Sequence, residues 1–392
     1  MIRTQLPAWS PISGSILIRG LLEAARGGAT ERLGAQIRAE YGADGVVLTD
    51  SGTAALTIAF RSLGPTPIVA LPAYGCFDLA TAAIGAGARV RLYDLDPATL
   101  GPRDHSLTEV IEAGIDGLVL AHLYGIPAES TRWRQIARER GIAVIDDAAQ
   151  AVGATFDGQP VGSLGDLGVL SFGRGKGRTG GAGGALLGFT PTGTRLLQGA
   201  VERILPGVSV GAQVSSAAKL VIQWLLGRPS LYGLPASIPW LGLGQTHFKP
   251  LKPVTDIGGL AAGMLLSAWE VSVAEVVVRR SNAEGWMNAA VAPGLQQATV
   301  SRKARPGWLR FPILVSPERR PNFETRAARR LGVAPGYPAT LADLVGFGDH
   351  VLPGGEVSGA VALARTLVTL PTHGLLSEAD RLGVTCLLRF VG

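Results

Sequence analysis

Two acidic residues, Asp146 and Asp147, close the short apolar run AVI, and further along a second run, LGVLSF, leads to a lone lysine, Lys176, set among glycines. Two strands that each deliver a charged side chain at their carboxyl end, one acidic and one basic, suit a buried electrophilic cofactor. An amine can hold such a cofactor covalently, and a carboxylate can balance the charge that develops on it. Lys176 is therefore read as a Schiff-base lysine and Asp147 as its electronic partner. Taken alone, a lysine in a glycine-rich loop is a solvated turn.

A second corner has chemistry of its own. The strand Gly45–Leu48 runs into Asp50-Ser51-Gly52-Thr53 and then into an apolar helix from Ala54 to Leu63. A helix amino terminus offers unpaired backbone N–H groups and a favourable dipole, so it binds phosphate readily, and glycine lets the backbone come close. The same Ser51 and Thr53 also suit a plain helix cap. On the corner alone both readings stay open.

The elements that must position these residues alternate for a hundred positions. A strand ends at Pro72 and a helix follows to about Ala86; a strand over GARVRLYDLD closes in Asp94 and Asp96; residues 107–113 read as helix. DGLVLA is a buried strand with His122 and Tyr124 at its end. A helix over Ser130–Arg140 leads to the strand Ile142–Ile145. This pattern predicts an α/β fold with a mostly parallel, doubly wound sheet, whose ligands sit at the carboxyl ends of the strands.

Outside that core the signals are weaker. Residues 1–30 read as irregular, with residues 12–28 suggesting a short strand or turn and then a short helix; residues 31–42 read as a helix ending at Gly42, and residues 191–208 contain a helix. Residues 210–248 carry very few charges and are too interrupted by Pro and Gly to span a bilayer; they are expected to pack at a subunit interface, to cover the site or to touch a membrane surface. Residues 255–290 predict a long apolar helix with Ala and Met inward. RPGWLRFPILVS and ARTLVTLPTH read as strands, FETRAARRLGV as a helix, and the end of the chain as a helix or strand. The expected division is a large cofactor-binding domain, 1–250, and an interdomain helix with a smaller α+β domain, 251–392.

Composition narrows the function. Of 392 residues 47% are hydrophobic and 17% charged, which allows a sizeable core. The net charge of +6 comes mostly from scattered arginines. No basic stripe interleaves with aromatics, so nucleic-acid binding is not expected, whereas anionic small molecules suit the balance. Cys76 and Cys386 make neither a disulfide framework nor a metal site. No leader-like segment opens the chain and no run approaches the roughly 18 apolar residues of a membrane span, so a cytoplasmic enzyme is the expectation.

The ordered set SGTAAL, PAYGCFDLATAAIGAGARVRLYDLDPATL, HLYG and VIDDAAQAVGATFDGQPVGSLGDLGVLSFGRGK, over residues 35–190, resembles the DegT/DnrJ/StrS family. Its members are mostly sugar aminotransferases dependent on pyridoxal 5′-phosphate, of the fold-type-I architecture. The resemblance implies that Lys176 forms the covalent link to the cofactor and shuttles a proton. It implies that Asp147 pairs with the pyridine nitrogen and that Gln150 lies beside the ring or its hydroxyl. Ser171, with Ser51, Gly52 and Thr53, would hold the phosphate. An aromatic ring would face the pyridine, a role that falls to Phe77 although Cys76 takes the ungapped position. It also implies an amino-acid donor, glutamate or a similar one, a keto-sugar nucleotide or related carbonyl acceptor, and a homodimer.

Two segments depart from the pattern. The asparagine that a partner subunit usually contributes is not evident, with Thr246 and His247 in about its place, and a His-rich substrate segment is replaced by GVAPGYPATL, Gly332–Leu341. His122 and Tyr124 are read as lying behind the site or on its substrate side. The alternatives within this reading are a lyase or dehydratase on the same scaffold, or a non-catalytic regulator that binds cofactor or sugar nucleotide.

Overall fold

The computed structural model describes residues 3–201, 207–233, 248, 250, 252–289 and 292–390. Its centre is a seven-stranded sheet in the order β1-β9-β8-β5-β4-β2-β3. The strands are β1 (Gly45–Thr49), β2 (Ile68–Pro72), β3 (Arg89–Tyr93), β4 (Gly117–Ala121), β5 (Ala143–Asp147), β8 (Leu167–Ser171) and β9 (Gly184–Gly188). All run parallel except β9, which is antiparallel to both β1 and β8. Strands β4 and β5 read as near-continuous apolar runs because the sheet is covered on both faces.

The covering helices are α3 (Gly52–Ser62), α4 (Asp78–Ala86), α5 (Asp104–Glu112) and α6 (Thr131–Glu139) from the crossovers, with α2 (Ala29–Tyr41) and α7 (Pro191–Val201) completing the layers. One core joins α3, α4 and the parallel strands through fully buried residues such as Phe60, Leu71 and Val119; a second lies under α2 around Leu33, Ile37 and Leu187. The parallel sheet and helical layers agree with the sequence reading.

A smaller antiparallel sheet has the order β10-β12-β14-β13, and β6 (Thr155–Phe156), β7 (Gln159–Pro160) and β11 (Ala304–Arg305) make a third, three-stranded sheet. The strands of the four-stranded sheet are β10 (Leu295–Gln297), β12 (Phe311–Val315), β13 (Ala334–Pro335) and β14 (Leu367–Leu370). The helix α9 (Gly259–Ala289) connects it to the large sheet, with Ala261, Ala262, Met264 and Leu265 inward as expected. Among the described residues α9 is also the one helix long and apolar enough to cross a bilayer, contrary to the sequence expectation that no such run exists. More than half of its most apolar window is buried against the protein, α1 (Gly14–Ala25) and α2 included. It is built as a core helix.

Three local expectations are corrected. Residues 13–17 form no strand: the Ser13 hydroxyl accepts from the Ile16 N–H and starts α1 directly. ARTLVTLPTH is not one strand, because the helix Ser358–Thr366 runs through Ala364-Arg365-Thr366 before β14 begins at Leu367. The strand expected over RPGWLRFPILVS starts only at Phe311. The chain ends in the helix Glu378–Phe390.

Candidate active site

The carboxyl ends of β1, β8, β5, β4 and β2 lie along one edge of the large sheet, and the residues singled out from the sequence gather there. β5 ends in adjacent aspartates, and alternation along the strand sends their side chains to opposite faces. Asp146 is consumed by structure. Its Oδ1 lies 2.5 Å from His122 Nε2, and its Oδ2 accepts from the Gly162 and Leu164 N–H groups. Because His122 Nδ1 accepts from the Ala128 N–H, the ring proton sits on Nε2 and donates to Asp146. His122 is thus a buried link that fixes the loop after β4, which is the structural role weighed for it.

Asp147 is less engaged by its surroundings. One oxygen accepts from the Ala149 N–H at 3.0 Å. Burial pushes its carboxyl above the ordinary value, and the charges of Lys176 and His122 pull the other way. A buried carboxylate with a single protein hydrogen bond suits a cationic partner.

Lys176 sits between Gly175 and Gly177, whose φ angles are +72° and +85°, in a tight turn closed by its own N–H to the Gly173 carbonyl. Only glycine takes that conformation at no steric cost. At Gly177 a side chain would also meet the Arg279 guanidinium at 2.6 Å. The next residue clamps the turn from below. Arg178 is buried, stacks 3.5 Å over the Trp269 ring, and donates to Ser272 and to Glu40 of α2.

The corner after β1 faces Ser171. The Ser51 hydroxyl caps α3 by accepting from the Ala54 N–H and donates to Asp50, so it is engaged locally. The N–H groups of Gly52 and Thr53 lie in the first turn, where no intrahelical acceptor exists. A Cβ on Gly52 would lie 2.7 Å from Ser171 Cβ and 2.9 Å from its hydroxyl oxygen. Glycine at position 52 therefore lets the start of α3 pack directly on Ser171, and the two form a cradle of helix amino-terminal N–H groups and a serine hydroxyl, the donor chemistry of a phosphate site.

Gln150 is held by both ends: its Oε1 accepts from the Tyr124 N–H and its Nε2 donates to the Tyr337 hydroxyl. Tyr337 lies in the segment Gly332–Leu341 and stacks on Tyr124 at 6.0 Å between centroids. Phe77 packs 6.1 Å from the Tyr337 ring, whereas the Cys76 thiol lies within the electrostatic reach of Lys176 and Asp147. Burial pushes that thiol up to about 12, so it stays protonated and uncharged. Both residues border the site from the loop before α4.

A cavity of about 660 Å³ opens over Lys176 and Gln150. Its walls come largely from segments that carry no chemical motif of their own. The amino-terminal arm contributes Leu6 and Trp9; the helix α8 (Val210–Leu226) contributes Lys219 and Trp224; the small domain contributes Arg310 and Tyr337. Segment 210–226 thus covers the site, one of the three roles expected for it, while Thr246 and His247 lie outside the described residues. The arm is strapped to the far end of the chain: Arg3 and Gln5 both bond Asp380, and the Leu6 carbonyl accepts from His373 Nε2. In hindsight a lone arginine inside the apolar run GWLRFPILV was the available signal for Arg310.

The sheet order, the strand-end carboxylate and lysine, and the antiparallel small sheet together define a fold-type-I architecture. Residues 19–191 match the model of the DegT/DnrJ/EryC1/StrS aminotransferase family, and that stretch carries the whole Asp147–Ser171–Lys176 set. The chain is similar to Protein MosB of Rhizobium meliloti, 39% identical over 149 residues, 38% of this chain and 29% of that protein. It is also similar to the dTDP-4-dehydro-2,3,6-trideoxy-D-glucose 4-aminotransferase of Saccharopolyspora spinosa, 37% identical over 129 residues, 32% of this chain and 34% of that one. The matched stretch thus spans about a third of the length of these relatives. Among solved structures, AtS13 from Actinomadura melliaura shares the fold over 99% of both chains, with a TM-score of 0.77 at 23% identity.

Pyridoxal 5′-phosphate is the cofactor of this family, and the residues present fit it. The N–H and hydroxyl donors at Gly52 and Ser171 suit its phosphate, the Asp147 carboxylate its ring nitrogen, and Lys176 its aldehyde carbon.

Proposed function

We propose that the chain is a pyridoxal-phosphate-dependent aminotransferase that moves an amino group from an amino-acid donor, with glutamate as the first choice, to a keto-sugar nucleotide or related carbonyl acceptor. The observation that carries this reading is the convergence of Lys176, Asp147 and the Gly52–Ser171 cradle along one sheet edge, with Lys176 and Gln150 in the wall of the cavity. Gly52, Thr53 and Ser171 would hold the phosphate, Lys176 the aldehyde carbon, and Gln150 and Phe77 would border the ring.

When bound, pyridoxal phosphate supplies a carbonyl for amine exchange and a ring that accepts electrons from the donor's α-carbon. The protein supplies the rest. Asp147 holds a positive charge at the sheet edge, where its buried carboxylate is worth more than it would be in water. Lys176 Nζ is the amine placed beside Asp147 that can take a proton from a reacting carbon and return it. Gln150, pinned by Tyr124 and Tyr337, keeps one side of the site rigid. The arm and α8 exclude water from above.

The acceptor reading is supported by charge. The cavity lining holds Lys176, Arg174, Lys219 and Arg310 and, among the described residues, no aspartate or glutamate. That suits an anionic substrate such as a nucleoside diphosphate sugar. A homodimer is supported by exposed apolar stripes, Ile18, Leu21 and Leu22 on α1 and Val214, Val221 and Ile222 on α8. Light scattering of the purified protein tests it; a monomer at working concentration contradicts it.

The deciding experiment is a half-reaction. Cofactor-loaded protein given glutamate should release 2-oxoglutarate stoichiometrically and leave the cofactor in its amine form. Elimination products without keto-acid release would replace transamination with lyase or dehydratase chemistry.

A further inference from the structure

Tyr337 follows β13 of the small sheet, yet residues from the loops of the large sheet hold it. Its N–H donates to the Tyr74 hydroxyl at 2.8 Å, its ring stacks on Tyr124, and its own hydroxyl lies 2.9 Å from Gln150 Nε2. Glycine at position 336 permits the approach, since a Cβ there would overlap the Tyr74 hydroxyl. Tyr337 lies in Gly332–Leu341, the segment in which the sequence departs from the pattern it otherwise resembles.

The hydrogen bonds leave one proton over. Gln150 Oε1 accepts from the Tyr124 N–H, which can only donate, so the amide nitrogen faces Tyr337 and the phenol oxygen is the acceptor there. Among the described residues no acceptor takes the Tyr337 O–H, and the residue lines the cavity together with Lys176. Burial pushes the phenol well above its ordinary value, so it keeps that proton and can donate it.

The sheet order says what stands opposite. Gly52 follows β1 and Ser171 ends β8, so the phosphate cradle lies on one side of Asp147, which ends β5. Tyr124 follows β4 and Cys76 follows β2, so the cluster that holds Tyr337 lies on the other side. In pyridoxal phosphate the ring nitrogen and the aldehyde-bearing carbon are opposite each other, with the phosphate arm on one flank and the ring hydroxyl on the other. A ring with its nitrogen at Asp147, its aldehyde carbon at Lys176 and its phosphate at the cradle therefore turns its hydroxyl toward Gln150 and Tyr337.

We propose that Tyr337 donates its hydroxyl proton to the ring hydroxyl oxygen of bound pyridoxal phosphate, and so sets the pH at which the cofactor's link to Lys176 gains a proton. This rests on the cofactor reading of the site given above.

The test follows the absorbance band of the cofactor-loaded protein as a function of pH. Without the donor the ring oxygen keeps more of its negative charge and holds the neighbouring proton on the Lys176 nitrogen more tightly. The midpoint in Tyr337→Phe therefore rises by about one to two pH units, the scale of a hydrogen bond to a charged oxygen. Tyr232→Phe, which removes a different phenol from the cavity wall, leaves the midpoint in place. Because Tyr337→Phe also frees Gln150, the comparison is repeated in a Gln150→Met background, where the rise persists. Phenylalanine keeps the stack on Tyr124, and circular dichroism shows that each variant is folded. An unmoved midpoint in Tyr337→Phe overturns the proposal, and so does a rise that vanishes in the Gln150→Met background. Failure of the cofactor reading would show differently, as no absorbance band in the wild type at any pH, and would remove the proposal with it.

Discussion

The hydroxyl oxygen of Ser171 stands 2.9 Å from the point where a side chain on Gly52 would begin. The gap between the start of α3 and the end of β8 is therefore set by the absence of one methyl group. Gly52→Ala requires no left-handed φ, but its methyl group overlaps Ser171, so the start of α3 and the end of β8 must shift apart to accept it. We expect the variant to fold and to bind pyridoxal phosphate at least tenfold more weakly, about 1.4 kcal/mol. Absorbance titration with the cofactor measures this, and undiminished affinity would remove the cradle from the account.

The adjacent aspartates make opposite predictions. Asp146 accepts from His122, Gly162 and Leu164, so Asp146→Asn breaks at least one charge-assisted bond. It should lower stability by about 2 kcal/mol in urea unfolding. Asp147 accepts one backbone N–H, so Asp147→Asn should leave the unfolding midpoint nearly unchanged. It should instead reduce turnover by about 100-fold or more, the scale of losing an electrostatic partner in a buried site. The reverse pattern would mean that the two roles have been exchanged.

His373 gives the fold an acid-sensitive latch. Its Nε2 bonds the Leu6 carbonyl of the arm, its Nδ1 is buried with no partner among the described residues, and burial lowers its pKa to about 4. In the unfolded chain a histidine takes up its proton near 6.5. Between those values the unfolded state binds more protons than the native one, so stability is full above about pH 6.5 and falls as pH drops toward 4. The loss across that window is on the order of 3 kcal/mol. His373→Gln should flatten that part of the curve in denaturant melts run as a function of pH. An unchanged slope would assign the acid sensitivity elsewhere.

The Arg178 clamp fixes the lysine turn. Arg178→Lys loses the planar stack on Trp269 and the forked contact with Glu40 while keeping the charge. Expected are a stability loss of about 1–2 kcal/mol and a slower donor half-reaction, because the turn that aims Lys176 is no longer held. Thermal melts and stopped-flow absorbance report the two effects; wild-type values in both would make the clamp incidental.

The sheet and its chemical edge were legible because buried parallel strands read as apolar runs, and because charged residues such as Asp147 interrupt them at the carboxyl end. What could not be read depends on distant contacts. The role of Leu6 and Trp9 in the cavity follows from bonds to Asp380, His373 and Arg279, more than 260 positions away in each case. The helix that invades ARTLVTLPTH lies within one unbroken apolar pattern, and the change of period at Leu367 has no Gly or Pro to mark it. Arg310 announces a site only once four tyrosines from separate segments are seen to surround it.

Lys176 and Lys219 both line the cavity, but only Lys176 lies where its charge acts on Asp147. Borohydride reduction of the cofactor-loaded protein, followed by peptide mass mapping, decides between them. The account predicts one reduced cofactor per chain, attached at Lys176, and none in Lys176→Ala. Attachment at Lys219, or undiminished labelling of Lys176→Ala, would contradict it.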